Sequence, residues 1–183
     1  LKPSEAVYEV LEQMADPGLV NKYMGVDPAP VRRCIGCNQG CRAATVRKKI
    51  RCMQNVRIGN EKALTFAPPS PALEAKKVVI VGAGPAGLEA AAMLAEHGVK
   101  NLVIFEQESR PGGKINLAQI PPFKANMEFL TGYRLDVLKR HGVEIRLNVR
   151  ADVSTIAAEA PDAVILATGS SPLIPPIPGI NGP

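Results

Sequence analysis

The sequence is poor in aromatic residues and in long apolar runs. It has no tryptophan, three tyrosines, four phenylalanines and two histidines among its 183 residues. No stretch approaches the roughly 18 to 20 apolar residues of a membrane helix, and the amino terminus lacks the basic and apolar segments of a signal peptide. We therefore expect no membrane association and a cytoplasmic location.

The chain is also too short for a (β/α)₈ barrel, which needs roughly 250 residues. Its 46% apolar and 21% charged residues are enough for a packed core. Because the chain starts at Leu1 and ends at Asn181-Gly182-Pro183, we expect a fragment of a longer protein.

Acidic residues are missing from one long segment, between Pro28 and Asn60. The segment contains eight basic residues, namely Arg32, Arg33, Arg42, Arg47, Lys48, Lys49, Arg51 and Arg57. A nucleic-acid-binding module would use such residues for phosphates, but no aromatic residue lies among them to stack on bases. We therefore expect no nucleic-acid partner, and a positive surrounding for an anionic group or a solvated surface instead.

All four cysteines lie inside this segment, as Cys34-x2-Cys37-x3-Cys41-x10-Cys52. Soft thiolates select zinc, copper(I) or iron–sulfur clusters. Structural zinc sites usually show two Cys-x2–4-Cys pairs, whereas a compact Cys-x2-Cys-x3-Cys run is closer to iron–sulfur ligation. Disulfides are disfavoured without a secretory signal. The spacing favours an iron–sulfur cluster, with zinc and unrelated core cysteines as the alternatives.

A glycine-rich turn follows the apolar run Val78–Val81. The residues Gly82-Ala83-Gly84-Pro85-Ala86-Gly87 form a Gly-x-Gly-x-x-Gly motif, and Glu106 lies 19 residues after Gly87. This context is typical of a dinucleotide site, in which the pyrophosphate meets the amino terminus of a helix. We expect Glu106 to accept hydrogen bonds from a ribose hydroxyl and to repel a 2′-phosphate.

The rest of the chain alternates between strand and helix patterns. A helix through Glu96 precedes the strand Leu102–Phe105, and a further helix ends at Gly142 before strands at 143–147 and 163–166. This alternation predicts a doubly wound α/β domain. His97 and His141 each precede a helix-ending glycine, and we expect both to cap a helix end.

Several motifs together resemble one known family. They are Cys34-Ile35-Gly36-Cys37-Asn38-Gln39-Gly40-Cys41, Val81–Ala90, Pro111–Asn116, Pro121-Pro122-Phe123-Lys124 and Ala167-Thr168-Gly169. The chain is similar here to the iron–sulfur flavoproteins that join an old-yellow-enzyme-like barrel to a pyridine-nucleotide-disulfide-reductase-like module. Members include 2,4-dienoyl-CoA reductase and trimethylamine and dimethylamine dehydrogenases.

The resemblance implies roles for individual residues. Ligands of a four-iron–four-sulfur (4Fe-4S) cluster would be Cys34, Cys37, Cys41 and Cys52. Residues binding FAD or the turn toward the NAD(P) domain would be Gly82, Gly84, Pro85, Ala86, Gly87, Glu106, Gly113, Lys114, Lys124, Ala151, Thr168 and Gly169. No catalytic residue is assigned, because the barrel and its FMN contacts would lie outside this chain.

The resemblance also implies a division of the chain and an activity. Residues 1–33 would be the tail of an FMN barrel, 34–60 the iron–sulfur loop, 61–76 a linker and 77–183 part of an FAD/NAD(P)-binding domain. Electrons would pass between NAD(P)H, FAD, the cluster and FMN, to reduce a 2,4-dienoyl-CoA or related enoate bound in the missing barrel. The alternatives are an amine dehydrogenase segment, a zinc-stabilised binding module and an ordinary disulfide reductase, whose redox Cys-x-x-Cys is missing. Assembly into a homo-oligomer is a further expectation.

Overall fold

A parallel sheet forms the centre of the computed structural model, which describes residues 3–64 and 70–180. Its strands are β1 (Lys77–Val81), β2 (Asn101–Phe105), β3 (Glu144–Arg146) and β4 (Ala163–Leu166). The order across the sheet is β3-β2-β1-β4, and each pairing is parallel. The chain runs outward from β1 to β3 and then returns to the other side of β1. The strand order therefore reverses between β1 and β4, where open α/β sheets bind their ligands.

Helices connect the strands and precede the sheet. They are α1 (Pro3–Ala15), α2 (Leu19–Tyr23), α3 (Ala44–Arg47), α4 (Pro71–Glu74), α5 (Pro85–Glu96), α6 (Ile115–Ala118), α7 (Phe129–Arg140) and α8 (Val153–Ala158). A 3-10 turn (Ala125–Glu128) leads directly into α7. None of the helices in the described part of the chain has the length and hydropathy needed to span a membrane.

The alternation of side chains along β1 and β2 gives the sheet two apolar faces. Val78 and Ile80, with their β2 neighbours, pack against α5 and α7 in the larger core cluster. Val79 and Phe105 lie in the smaller cluster on the opposite face, where α8 contributes the partly buried Ile156. Helices thus cover both faces of the sheet, which confirms the doubly wound α/β prediction.

Five short helices have no counterpart in the sequence expectations, namely α2, α3, α4, α6 and α8. Helix α2 lies in a segment expected to be a loop, because Pro17-Gly18 and Gly25 mark turns; burial of Leu19 anchors it. Helices α6 and α8 have too few residues to show an apolar period. In the expected linker, Ser70 caps α4 by accepting a hydrogen bond from the Leu73 amide. Residues 65–69 of that linker and the terminal residues 181–183 lie outside the described residues.

The two histidines lie where the sequence predicts them. His97 and His141 are the last-turn caps of α5 and α7, and the glycines that follow, Gly98 and Gly142, have φ of +92° and +66°. Left-handed glycines commonly end helices in this way.

Asp16 organises the chain between α1 and the cysteine loop (residues 34–60). Its Oδ1 accepts a hydrogen bond from the Gly18 amide at 3.0 Å. Its Oδ2 accepts from Lys22 Nζ at 2.6 Å and from the Arg32 amide at 2.8 Å. One buried carboxylate therefore turns the chain back from α1 toward the cysteines.

Candidate cofactor-binding sites

The glycine turn is shaped by two contacts that only glycine tolerates. At Gly82, with φ of +105°, an added Cβ would lie 2.4 Å from the Ala167 carbonyl oxygen. At Gly87 an added Cβ would lie 1.9 Å from the Gly82 carbonyl oxygen. These close approaches seat α5 against the ends of β1 and β4, as expected for the first and last glycines of the motif.

Gly84 is different, because an added Cβ there would have no heavy atom within 4 Å. Gly84 is the N-cap of α5, it makes no side-chain cap, and Pro85 follows at the first helical position. The exposed amides of this helix end face open space. The turn therefore leaves room for an anionic group beside the helix amino terminus.

A cleft of about 860 Å³ opens at the carboxyl ends of β1, β2 and β4. Ten of the residues predicted to bind the cofactor line it: Gly82, Gly84, Pro85, Ala86, Glu106, Gly113, Lys114, Ala151, Thr168 and Gly169. Gly87 is not in the lining, since it lies beneath the turn. Lys124 is exposed and does not line the cleft. The fold thus gathers residues from four separate stretches of sequence around one space.

Glu106 is buried at the end of β2, with 6% of its surface exposed. Its Oε2 accepts a hydrogen bond from the Ala83 amide at 2.7 Å, and its Oε1 accepts from the Glu108 amide at 3.0 Å. The carboxylate therefore holds the glycine turn in addition to facing the cleft. Each carboxylate oxygen has a second lone pair, so Glu106 keeps the capacity to accept from a ribose hydroxyl.

The loop after β2 packs onto the glycine turn. The Gly112 amide donates to the Ala83 carbonyl at 2.8 Å. At Gly113, with φ of +53°, an added Cβ would lie 3.1 Å from the Gly84 Cα. Lys114 Nζ donates to Ser170 Oγ at 3.0 Å, which joins this loop to the segment after β4. Lys114 therefore lies in the wall of the cleft.

Two arginines that the sequence analysis did not assign to the site also line the cleft. Arg110 and Arg150 are exposed and lie in its lining together with Glu108. They add positive charge to a space in which the Glu106 carboxylate is already engaged by amides. Arg110 follows Glu106 closely in the sequence, whereas only the tertiary structure reveals the position of Arg150.

The four cysteines line a single small pocket beside α1. Cys34, Cys37, Cys41 and Cys52 share it with the apolar side chains of Leu11, Met14 and Ile35 and with Gly36, Asn38, Gly40, Arg51 and Gln54. All four are free thiols. The loop closes tightly at Gly40, where an added Cβ would lie 2.2 Å from the Arg51 carbonyl oxygen.

Backbone amides point at two of the thiols. The Gly36 amide donates to Cys34 Sγ at 3.3 Å, and the Gln54 amide donates to Cys52 Sγ at 3.4 Å. Burial raises the pKa of the Cys34 thiol, while the Gly36 amide opposes this shift. Amides aimed at sulfur favour thiolates, which is the form that binds metals.

Within the described ranges, no three histidine, cysteine or carboxylate side chains converge as ligands of one metal ion. The four thiols nevertheless share one pocket.

Buried polar side chains surround the cysteine loop, and the sequence analysis missed them. Glu12, Gln54, Asn55 and Arg134 are each no more than 6% exposed. Glu12 Oε2 accepts from the Cys34 amide at 2.9 Å, and Asn55 Nδ2 donates to the Met14 carbonyl at 3.0 Å. These residues carry no sequence signal, because a buried polar residue and an exposed one look alike in the sequence.

The segment just before the cysteine loop packs on α7 through cations stacked on rings. The Arg32 guanidinium lies 4.4 Å from the centre of the Tyr133 ring, and Arg32 Nη2 donates to the Tyr133 hydroxyl at 2.9 Å. The Arg33 guanidinium lies 4.7 Å from the centre of the Phe129 ring. Burial raises the pKa of Tyr133, which keeps its hydroxyl a neutral donor to Glu96.

The sequence of residues 76–183 matches a known family model, that of the pyridine nucleotide-disulphide oxidoreductases. The chain belongs to this family. Membership in the pyridine nucleotide-disulphide oxidoreductase family implies binding of a flavin and a pyridine nucleotide, in agreement with the cleft at the strand ends.

Several longer proteins are similar to a larger part of the chain than residues 76–183. Bilirubin reductase of Mediterraneibacter gnavus is 39% identical over 171 residues, which are 93% of this chain and 26% of that protein. The solved complex of 2-naphthoyl-CoA reductase with 2-naphthoyl-CoA superimposes with a TM-score of 0.84 at 35% identity, covering 93% of this chain and 26% of that one.

An amine-oxidising protein is also similar. The 6-hydroxypseudooxynicotine amine oxidase of Pseudomonas geniculata N1 gives a TM-score of 0.79 at 32% identity, covering 87% of this chain and 24% of that one. The chain thus spans about a quarter of the length of the relatives that it matches. The similarity includes the cysteine loop as well as the sheet, because it extends over about nine-tenths of the chain.

Proposed function

We propose that this chain is the electron-transfer segment of a flavin-dependent oxidoreductase. FAD would bind in the cleft, and a 4Fe-4S cluster would bind to Cys34, Cys37, Cys41 and Cys52. The observation that carries the proposal is that four separated cysteines line one pocket in a chain whose sheet belongs to a flavin-binding family. When bound, a flavin exchanges a hydride or single electrons, and a cluster carries single electrons.

The cleft supports FAD in size and in chemistry. A space of about 860 Å³ lies within the range of cofactor pockets. The open space at Gly84 would receive the pyrophosphate at the amino terminus of α5. Glu106 would orient the ribose, and Lys114, Thr168 and Gly169 would form the part of the wall nearest the turn after β4.

The cysteine pocket offers the four thiolates that a 4Fe-4S cluster requires. The amides of Gly36 and Gln54 would stabilise the negative charge on the sulfurs. Leu11 and Met14 would keep water from one side of the pocket.

The relatives support two classes of substrate for the whole protein. A bilirubin reductase and a 2-naphthoyl-CoA reductase favour reduction of a conjugated double bond, of which a 2,4-dienoyl-CoA or related enoate is our first choice. The amine oxidase favours the second candidate, oxidation of an amine with electrons leaving through this segment. NAD(P)H, FMN and a substrate-binding barrel would complete the protein in either case.

Chemical analysis of the full-length protein that carries this chain tests the proposal. After anaerobic purification we expect about four irons and four sulfides per chain, and one FAD. A protein with one zinc and no iron would overturn the cluster assignment. Cys37→Ser should lose most of the iron, whereas Val46→Ser, an exposed change in the same loop, should retain it.

Substrate profiling separates the two candidate reactions. A reductase oxidises NADH or NADPH when an enoyl-CoA is added and does not reduce a dye with amines. An amine dehydrogenase shows the opposite pattern. Retention of iron and FAD without either activity would leave the cofactor assignment standing and overturn both substrate classes.

A further inference from the structure

Gln54, two residues after the last cysteine, is bonded at both ends of its side chain. Its amide nitrogen Nε2 donates to the Arg33 carbonyl at 2.9 Å and to the Phe129 carbonyl at 3.0 Å. Its Oε1 accepts from Arg134 Nη1 at 2.7 Å, and its backbone amide donates to Cys52 Sγ at 3.4 Å. Gln54 makes these bonds while only 1% of its surface is exposed.

Arg134 is a buried cation of α7 that meets this glutamine. Its guanidinium donates through Nη1 to Gln54 Oε1 and to the Leu130 carbonyl, and through Nε to the Glu89 carboxylate of α5. Its side chain is 5% exposed, and that of Glu89 is 28% exposed. An arginine buried this far requires paired and hydrogen-bonded partners, and these three supply them.

The bonds form a continuous line from the nucleotide-binding module to the fourth cysteine: Glu89, Arg134, Gln54 and Cys52. We propose that Arg134 is a positioning residue that acts through Gln54 to hold the Gln54 amide on the Cys52 sulfur. This assignment rests on the proposed cluster. It adds a role for two residues that carry no motif and touch no predicted ligand with their side chains.

The position of the Gln54 amide matters because a hydrogen bond from an amide stabilises negative charge on the Cys52 sulfur. An amide that donates to a ligating thiolate favours the more negative, reduced form of the group bound there, and so raises its reduction potential. The Gln54 backbone amide stays directed at Cys52 Sγ only while hydrogen bonds hold both Nε2 and Oε1 of its side chain. Removing Arg134 leaves Oε1 of Gln54 and the Glu89 carboxylate without their partner, so the segment that carries the amide can turn away.

Lysine does not replace arginine at this position. The guanidinium reaches Glu89 and Gln54 at the same time through different nitrogens, whereas an ammonium is a single point donor. Arg134→Lys keeps the positive charge and loses this geometry. A role of Arg134 through charge alone predicts full rescue by lysine, and a positioning role predicts partial rescue.

The test is a redox titration of the full-length protein with its cofactors, in which the reduced cluster is followed by electron paramagnetic resonance. For Arg134→Met and Gln54→Leu we expect the equilibrium constant for reduction to fall about tenfold, which is about 59 mV for one electron, with altered g-values. Arg134→Lys should shift the potential in the same direction by less. Arg146→Met removes an equal charge from β3, where Arg146 forms ion pairs with Glu144 and with Glu159 at the end of α8, and should leave the potential unchanged.

A second measurement covers the case in which a variant loses its iron. Amide hydrogen exchange at Gln54 should be faster in Arg134→Met than in Arg146→Met, because only the first frees the segment. Arg134→Met with full iron, an unchanged potential and unchanged g-values overturns the positioning role and leaves the proposed function intact. Wild-type protein without iron overturns the proposed function and this assignment together.

Discussion

The two regions of this chain are held together in different ways. The α/β module, residues 70–180, is built around strands whose central side chains are apolar and buried, such as Ile80 and Ile104. In the region of residues 3–64, α1 is followed by the short helices α2 and α3, and the buried set includes the charged residues Glu12 and Asp16. The module can gain its stability from apolar burial. The cysteine region depends on individual hydrogen bonds and on the neighbour against which it docks.

Helix α7 forms the interface between the two regions. Helix α7 contributes Val137 and Leu138 to the core of the module, and from the same helix Tyr133 and Arg134 reach the cysteine region. The module thus provides a preformed surface for the loop. We expect the module to retain its fold when the loop opens, and the loop to open when the module unfolds.

The largest expected effect comes from the module core. Ile104→Ala removes a fully buried side chain at the centre of the sheet and should lower the free energy of unfolding by about 2 to 5 kcal/mol. Chemical denaturation should show both regions losing protection from hydrogen exchange together. The control Val164→Ala, at a position 41% exposed on β4, should cost clearly less. Loss of protection in the cysteine region alone would contradict the dependence of the loop on the module.

Gly87 and Gly84 in the glycine turn give a matched pair of test substitutions within the module. Gly87→Ala places a methyl group against the Gly82 carbonyl oxygen and should cost about 1 to 3 kcal/mol of stability. Gly84→Ala adds a methyl group to open space, so it should leave stability nearly unchanged and weaken FAD binding. Melting curves and flavin titration of both variants check this. Equal loss of stability in the two variants would contradict the distinct roles of these glycines.

Breaking a polar anchor should affect the cysteine region locally. Asp16→Asn keeps the shape of the side chain but turns one acceptor into a donor facing the Arg32 amide and Lys22. We expect a loss of about 1 to 3 kcal/mol, with faster hydrogen exchange in residues 16–34 and little change in β1 and β2. Asp27→Asn, which retains an acceptor for the Ala29 amide, is the control. Uniform destabilisation of the sheet would count against two separately held regions.

The smallest expected effect is a loss of stability at acid pH, which arises from Asp152 at the surface of the module. Hydrogen bonds from the Thr155 amide and from the Ser154 and Thr155 hydroxyls lower the pKa of Asp152 to about 2 from its ordinary value of 3.8. Because the folded pKa is depressed, this stabilisation is present above pH 4 and is lost as the pH falls toward 2. Asp152→Asn should show a slightly lower melting temperature at pH 6 and a smaller difference near pH 2. If the difference in melting temperature did not change with pH, the lowered pKa of Asp152 would not be its cause.

Local patterns were sufficient to predict the module. The run Val78–Val81, the glycine turn and the helix-ending glycines each act within a few residues, and the structure confirms strand, turn and helix in that order. The shorter elements α2, α6 and α8 were missed, because four to six residues are too few for an apolar period.

The residues that line the two sites were only partly predictable from the sequence. Motif residues such as Gly84 and Glu106 line the cleft as expected, while Lys124 does not. Arg110 and Arg150 enter the cleft because β2 and β3 are neighbours in the sheet. Gln54 and Arg134 are separated by 80 residues and meet in a buried hydrogen bond. No local pattern marks such a pair.

The sequence by itself determined the doubly wound fold, the glycine turn and the grouping of four cysteines, because these depend on side-chain periodicity and spacing along the chain. The tertiary structure decided that Glu106 also holds the turn and that the cysteine loop rests on α7. It also decided that Gln54 joins Arg134 to Cys52. These contacts pair groups distant in sequence, and their energy comes from burial and hydrogen-bond geometry, which exist only after the chain has folded.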